Sequence, residues 1–359
     1  MLLYGCSAGC CAAPDGPGGA GGSGRRLFTA DLHCHALSTE VEALVADQPQ
    51  RRAEPEWMLR TLGEASARHN AERMLPAALP ALTGTASRLE AMDRMGVDLQ
   101  LVSPSPNQYY YWADAALAAN IVRVQNEHIA ALCAAHPGRL LGLGSVALQH
   151  PELAAVQLRH AVRELGLRGA EISTAVGERE LADPELAPFW AMADDLGCVV
   201  FIHPLGTSAW QRLNRYYLNN VIGQPLETTI ALSHLIFSGL LDRHSRVRIL
   251  AAHGGGYLPF YLGRSEHAHA VRPEARGMAQ APHAYLRRLW FDSVVYQPQA
   301  LRTLIDGVGL SQVVLGTDYP FDMGSYAPAE LVAAVPGLDL QGQAAILGGN
   351  ARVLLDLPD

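Results

Sequence analysis

Four apolar runs in this chain end in groups that can bind metals or carry protons. Leu27–Leu32 leads into His33-Cys34-His35, and Cys198–Ile202 leads into His203-Pro204. Val247–Ala252 leads into His253-Gly254-Gly255-Gly256, and Val313–Thr317 leads into Asp318. In an extended strand, side chains two apart point to the same side, so His33 and His35 offer two imidazoles on one face. Imidazole nitrogen and carboxylate oxygen are donors suited to Zn²⁺ or a similar divalent ion. Each group alone is ordinary, since a lone histidine is usually structural and Asp318 could close a turn. Their shared position, at the ends of apolar runs, sets them apart from the other ten histidines, which lie in predicted helices or loops.

For such distant residues to meet, the chain must bring strand ends together. Candidate strands are 27–33, 99–104, 140–148, 169–173, 198–203, 247–253, 289–294 and 313–318. Between them run helical patterns such as TASRLEAMDRMG (85–96) and PELAAVQLRHAVRELG (151–166). Eight strands alternating with helices predict an α/β chain folded as a (β/α)₈ TIM barrel, in which the C-terminal strand ends share one catalytic face. A doubly wound sheet is the alternative, but no Gly-x-Gly-x-x-Gly follows the first strand. Residues 38–84 read as a polar, irregular insertion after the first strand, with helical patches, over one mouth of the barrel.

Composition narrows the function classes. Of 359 residues, 49% are apolar and 17% charged, enough to fill one large core. The 27 basic and 35 acidic residues give a net charge of -8 without a basic stripe, which argues against nucleic acid. No apolar run is long enough to span a bilayer, so no membrane partner is expected. The start, MLLYGCSAGCCAAP, lacks the basic region of a leader. Six scattered cysteines read as a reduced, cytoplasmic protein. Residues 1–25 form a Gly-rich tail expected to be disordered, and 26–359 a single domain.

The ordered motifs His-x-His, His-Pro, Ala-His-Gly-Gly-Gly and Gly-Thr-Asp-Tyr-Pro-Phe resemble the amidohydrolase superfamily. Within it they resemble the metal-dependent non-oxidative decarboxylases typified by aminocarboxymuconate semialdehyde decarboxylase. The resemblance runs from about residue 29 to 355 and includes RLEAMDRMGVD (88–98), PGRLLGLGSVALQ (137–149), IGQPLETTIAL (222–232) and HGGGYLPFYLGRSEHA (253–268). It implies one Zn²⁺, with Mn²⁺ or Co²⁺ as substitutes, held by His33, His35, His203 and Asp318. It implies catalytic roles for His253, as acid/base, and for Asp318. Arg264 would hold a substrate carboxylate, reaching the neighbouring subunit's site in a homodimer. The implied reaction is decarboxylation of a small aromatic or muconate-type carboxylic acid without an organic cofactor. The chain holds no lysine for a Schiff base. A hydrolase or hydratase of the same superfamily, using a metal-bound hydroxide as nucleophile, is the alternative; a non-catalytic barrel that binds an aromatic acid is a third. The chain departs from the branch at Leu205 and at Asn219 or Asn220, where tryptophans are usual. Arg60, Arg68 and Arg73 are the candidates for an upstream substrate arginine.

Overall fold

A computed structural model describes residues 27–358; the expected tail, residues 1–25, lies outside them. Short apolar runs form the parallel strands β1 (Ala30–Ala36), β2 (Leu99–Pro104), β3 (Leu140–Gly142), β4 (Gly169–Ile172), β5 (Val199–Ile202), β6 (Arg248–Ala251) and β7 (Trp290–Phe291). They pair as two ladders, β1-β2-β3 and β4-β5-β6-β7. Single parallel bridges close the seams: Gly144 to Ala170, Phe291 to Val313 and Cys34 to Tyr319. Residues 313–319 thereby take the eighth place, and the fold is a TIM barrel.

The expected strands 140–148 and 313–318 are mostly not strands, because other groups take some of their ladder bonds. Asn126, on the helix Ala115–Ala135, accepts from Ser145 N at 2.7 Å and donates to Ser145 O at 3.1 Å. In the eighth position Gly316 N donates to Ser293 Oγ at 3.2 Å, Thr317 N to Asp31 Oδ1 at 3.0 Å and Leu315 N to Ile346 O at 3.1 Å. The helices Thr85–Met95 and Pro151–Arg163 match the sequence patterns. The first ends at Gly96, whose φ of +71° suits a residue without Cβ.

The barrel interior is layered. Leu32, Leu101, Leu143, Phe201, Leu250 and Val314 form an apolar floor, while Val200, Ile202, Ile249 and Ala251 face the outer helices. Strict alternation would then turn His33 away from the interior, since Leu32 already faces it. A bulge prevents this: between Asp31 and Cys34 the β1–β2 register gains one residue on β1. Beyond it Cys34 and Ala36 pack outward with Ala91 and Met92, and His33 and His35 point inward. Asp31 secures the bulge by accepting from His33 N at 3.1 Å, while its other oxygen accepts from Thr317 Oγ1 at 2.6 Å.

The segment 38–84, expected to be irregular, is almost wholly helical: Thr39–Val45, Pro49–Leu62, Glu64–His69, a π-turn Asn70–Met74, and Leu75–Thr83. The pattern hid this because the helix Pro49–Leu62 buries only Thr61, leaving no apolar stripe to give a helical period. The insertion reaches the loops after β5 and after Asp318. Asn219 Nδ2 donates to Thr61 O at 3.1 Å, and His69 Nε2 lies 3.2 Å from Asp322 Oδ2. Among the described residues no helix is long and apolar enough to cross a membrane.

Candidate metal centre

Above the apolar floor four imidazoles and one carboxylate meet. The ring centroids of His33, His35 and His203 lie 4.9–5.1 Å apart, and His253 is 5.1 Å from His203. Asp318 Oδ1 lies 3.4 Å from His33 Nε2 and 3.5 Å from His35 Nε2; its Oδ2 lies 3.6 Å from His253 Nε2. One donor atom from each of His33, His203, His253 and Asp318 lies within 4.8 Å of the others. His35 falls outside that set of four, although its Nε2 faces the same Asp318 oxygen. Bonds of about 2.0–2.1 Å at tetrahedral angles would place donors about 3.3 Å apart. The Asp318–imidazole distances of 3.4–3.6 Å are close to that.

The donor nitrogens have no other employment. His33 Nε2, His35 Nε2 and both ring nitrogens of His203 are buried without a hydrogen-bond partner among the described residues. Buried polar atoms are normally paired, so several orphaned nitrogens facing one carboxylate fit a cation. The barrel also sets which nitrogen faces inward. Ser103 Oγ donates its one proton to Cys34 O at 3.1 Å, so it accepts from His35 Nδ1–H at 3.2 Å. Asp292 Oδ2 accepts from His33 Nδ1–H at 2.5 Å. In both rings Nε2 is left free, facing Asp318 and able to ligate.

Burial and close packing shift the protonation of these groups in opposite directions. Burial disfavours charge on His33, yet Asp318 and Asp292 outweigh it and raise its pKa to about 10. Burial, with His35, His33 and His253 around it, pushes His203 well below its ordinary value. Burial alone would raise Asp318, but the neighbouring imidazoles, His33 foremost, hold it well below the usual carboxylate range. Two of the five residues also sit on strained backbone: φ is +54° at His253 and +59° at Asp318. Such conformations cost roughly 1–2 kcal/mol for a residue with a Cβ and cluster at functional sites.

Sequence reading missed the groups behind the ring. Asp292 and Glu171 are buried polar residues on the interior face; Glu171 Oε1 accepts from Tyr109 Oη at 2.6 Å, and its Oε2 lies 3.5 Å from His35 Nδ1. The available signal was an acidic residue inside the apolar runs GAEIS and LWFDSV. Arg264 stands apart from the cluster, exposed on the helix Leu262–Val271 with no hydrogen bond or ion pair among the described residues. Of the upstream arginines, Arg60 lies against Trp57 and Trp210, at 5.9 and 5.5 Å from their centroids. Arg68 pairs with Glu64 at 3.1 Å, and Arg73 is exposed. Leu205 is exposed and Asn219 buried.

Comparison with known proteins agrees with this fold. The Amidohydrolase family matches residues 30–357. The chain is 36% identical, over 75% of its length and 76% of the relative's, to 2-amino-3-carboxymuconate-6-semialdehyde decarboxylase of Dictyostelium discoideum. The crystal structure of 5-carboxyvanillate decarboxylase from Sphingomonas paucimobilis superposes with a TM-score of 0.81 at 27% identity, covering 92% of this chain and all of that one. A second 5-carboxyvanillate decarboxylase, from Novosphingobium aromaticivorans, shares the fold at 19% identity and a TM-score of 0.81. It covers 94% of this chain and 98% of that one, and was solved with manganese and 4-hydroxy-3-methoxy-5-nitrobenzoic acid. With its barrel, its strand-end histidines and a family match spanning nearly every described residue, the chain belongs to the amidohydrolase family.

Proposed function

We propose that the chain is a metal-dependent, non-oxidative decarboxylase, a C–C lyase acting on a small aromatic or muconate-type carboxylic acid. The observation that carries this reading is the meeting of orphaned imidazole nitrogens and the Asp318 carboxylate at one buried point, with His253 beside them. The named activities of the relatives support it. His33, His35, His203 and Asp318 would hold one divalent ion, Zn²⁺ by donor type and Mn²⁺ or Co²⁺ in its place. When bound, the ion supplies a Lewis acid that polarises a substrate oxygen. His253 is kept out of the ligand set and given the proton because its side chain, 14% exposed, is the one imidazole of the four open to solvent; those of His33 and His35 are sealed.

The balance of the reaction is simple. His253 delivers a proton to the carbon that bears the carboxylate, the C–C bond breaks, its electron pair returns to the ring or diene, and CO₂ leaves. The substrate's own conjugation takes up the charge, so no organic cofactor is called for. Asp318 Oδ2, 3.6 Å from His253 Nε2, steers that ring. Phe201, 5.0 Å from His33, closes the site from below against water.

Arg264, exposed beside Phe260 and Tyr261, fits a carboxylate-binding role in a partner subunit's site, and hence a homodimer. Cys34, Cys133 and Cys198, free among the described residues, suit a cytoplasmic setting. The test is CO₂ release from carboxylated phenols and muconates by metal-loaded protein. A product that keeps its carboxyl carbon while gaining water assigns the hydrolase or hydratase reading instead.

A further inference from the structure

The turn after β6 has four successive residues with positive φ: His253 at +54°, Gly254 at +61°, Gly255 at +77° and Gly256 at +66°. None of the three glycines has room for a Cβ. One at 254 would lie 2.6 Å from Val295 Cγ1, one at 255 equally close to the Phe291 ring, and one at 256 only 2.1 Å from Pro225 O. Successive N–H groups in a turn can converge into a concavity that binds anions, and here those of His253 and Gly254 do. The anion here belongs to the protein. Asp292, just past β7 and fully buried, accepts from His253 N at 2.9 Å on Oδ2 and from Gly254 N at 2.9 Å on Oδ1. Oδ1 also takes Val294 N at 3.0 Å, and Oδ2 takes His33 Nδ1–H at 2.5 Å. A single carboxylate thus receives four hydrogen bonds from the ends of three strands.

We propose that Asp292 is a positioning residue that ties the metal ligand His33 to the turn carrying His253. This rests on the metal-centre reading above. Through His33 it aims Nε2 at the ion, and by filling the backbone concavity it keeps His253 in the left-handed conformation from which its ring faces Asp318. Gly254 meets the carboxylate through its N–H, while Gly255 N and Gly256 N donate to Ala252 O and His253 O at 3.0 and 3.1 Å and close the turn.

Asp292→Asn keeps the size but sets an amide N–H₂ against two of the four donors, whichever way it turns. Mn²⁺ titration by electron paramagnetic resonance should show a dissociation constant about 10–100-fold above wild type, the usual loss when a ligand's outer partner is removed. Saturating Mn²⁺ should restore occupancy but not kcat, because His253 is also released. A variant with a folded far-ultraviolet spectrum, wild-type Mn²⁺ affinity and wild-type kcat overturns the proposal while leaving the metal site in place. A wild-type protein that takes up no Mn²⁺ overturns the metal-site reading and the proposal with it. Should Asp292→Asn fail to fold, ¹⁵N-histidine NMR of the zinc-loaded wild type decides. A His33 ring protonated at Nδ1 and metallated at Nε2 is expected, and metallation at Nδ1 overturns the assignment.

Discussion

Gly316 marks the point where the barrel interior has no space for one more carbon. A Cβ there would lie 2.8 Å from His33 Cβ and 2.9 Å from Asp292 Cβ, against about 3.4 Å for ordinary contact. Both neighbours are first side-chain carbons fixed to their strands, so neither escapes by changing rotamer. In Gly316→Ala the backbone near His33 or Asp292 must therefore retreat by about 0.5–0.6 Å. Overpacking of this kind costs roughly 1–3 kcal/mol. The functional cost is larger, because a site tolerates about 0.5 Å of misplacement and a shift near 1 Å costs roughly 10²-fold in rate. Gly316→Ala should thus lose metal affinity and about 10–100-fold in CO₂ release at saturating metal, with a modest fall in Tm. Gly263→Ala is the control: a Cβ there meets nothing within 4 Å, and alanine in a helix adds about 0.5–1 kcal/mol. A Gly316→Ala protein with wild-type metal affinity and kcat would refute the claim that the floor and walls hold His33 in place.

Other outcomes follow from the same geometry. The raised pKa of His33, about 10, means that metal-free protein at pH 7.5 carries a proton there which a metal must displace. Calorimetry in buffers of different ionisation heat should record about one proton released per ion, with uptake weakening about tenfold per unit as pH falls; release of none would contradict the charge assignment. His253→Ala should keep one ion per chain by elemental mass spectrometry and lose about 10²–10⁴ in kcat, whereas His35→Ala should lose the ion. The reverse pattern would exchange their roles. Phe201→Ala empties the fully buried floor beneath His33 and should cost about 3–5 kcal/mol in denaturant unfolding. Arg264→Ala should raise KM for a dicarboxylate while leaving metal content unchanged.

The sequence by itself was enough to pick out the imidazoles and the carboxylate that the structure brings together. Metal chemistry admits few residue types, and His33, His35, His203, His253 and Asp318 all follow apolar runs whose spacing suits a barrel. That logic is local, and it also located the helices Thr85–Met95 and Pro151–Arg163, whose buried faces leave a period in the chain. It failed for Pro49–Leu62, a helix with hardly any buried face to write such a period. Only the tertiary structure decided the phase of the site. The bulge after Asp31 turns His33 inward beside Leu32, and its cause is a register difference with β2 together with hydrogen bonds to Thr317, 286 positions away. The same holds for Asp292 and Glu171. An acidic residue in an apolar run shows that something must compensate its burial. Which imidazole, turn or tyrosine does so depends on strands distant in sequence, which become neighbours once the barrel closes.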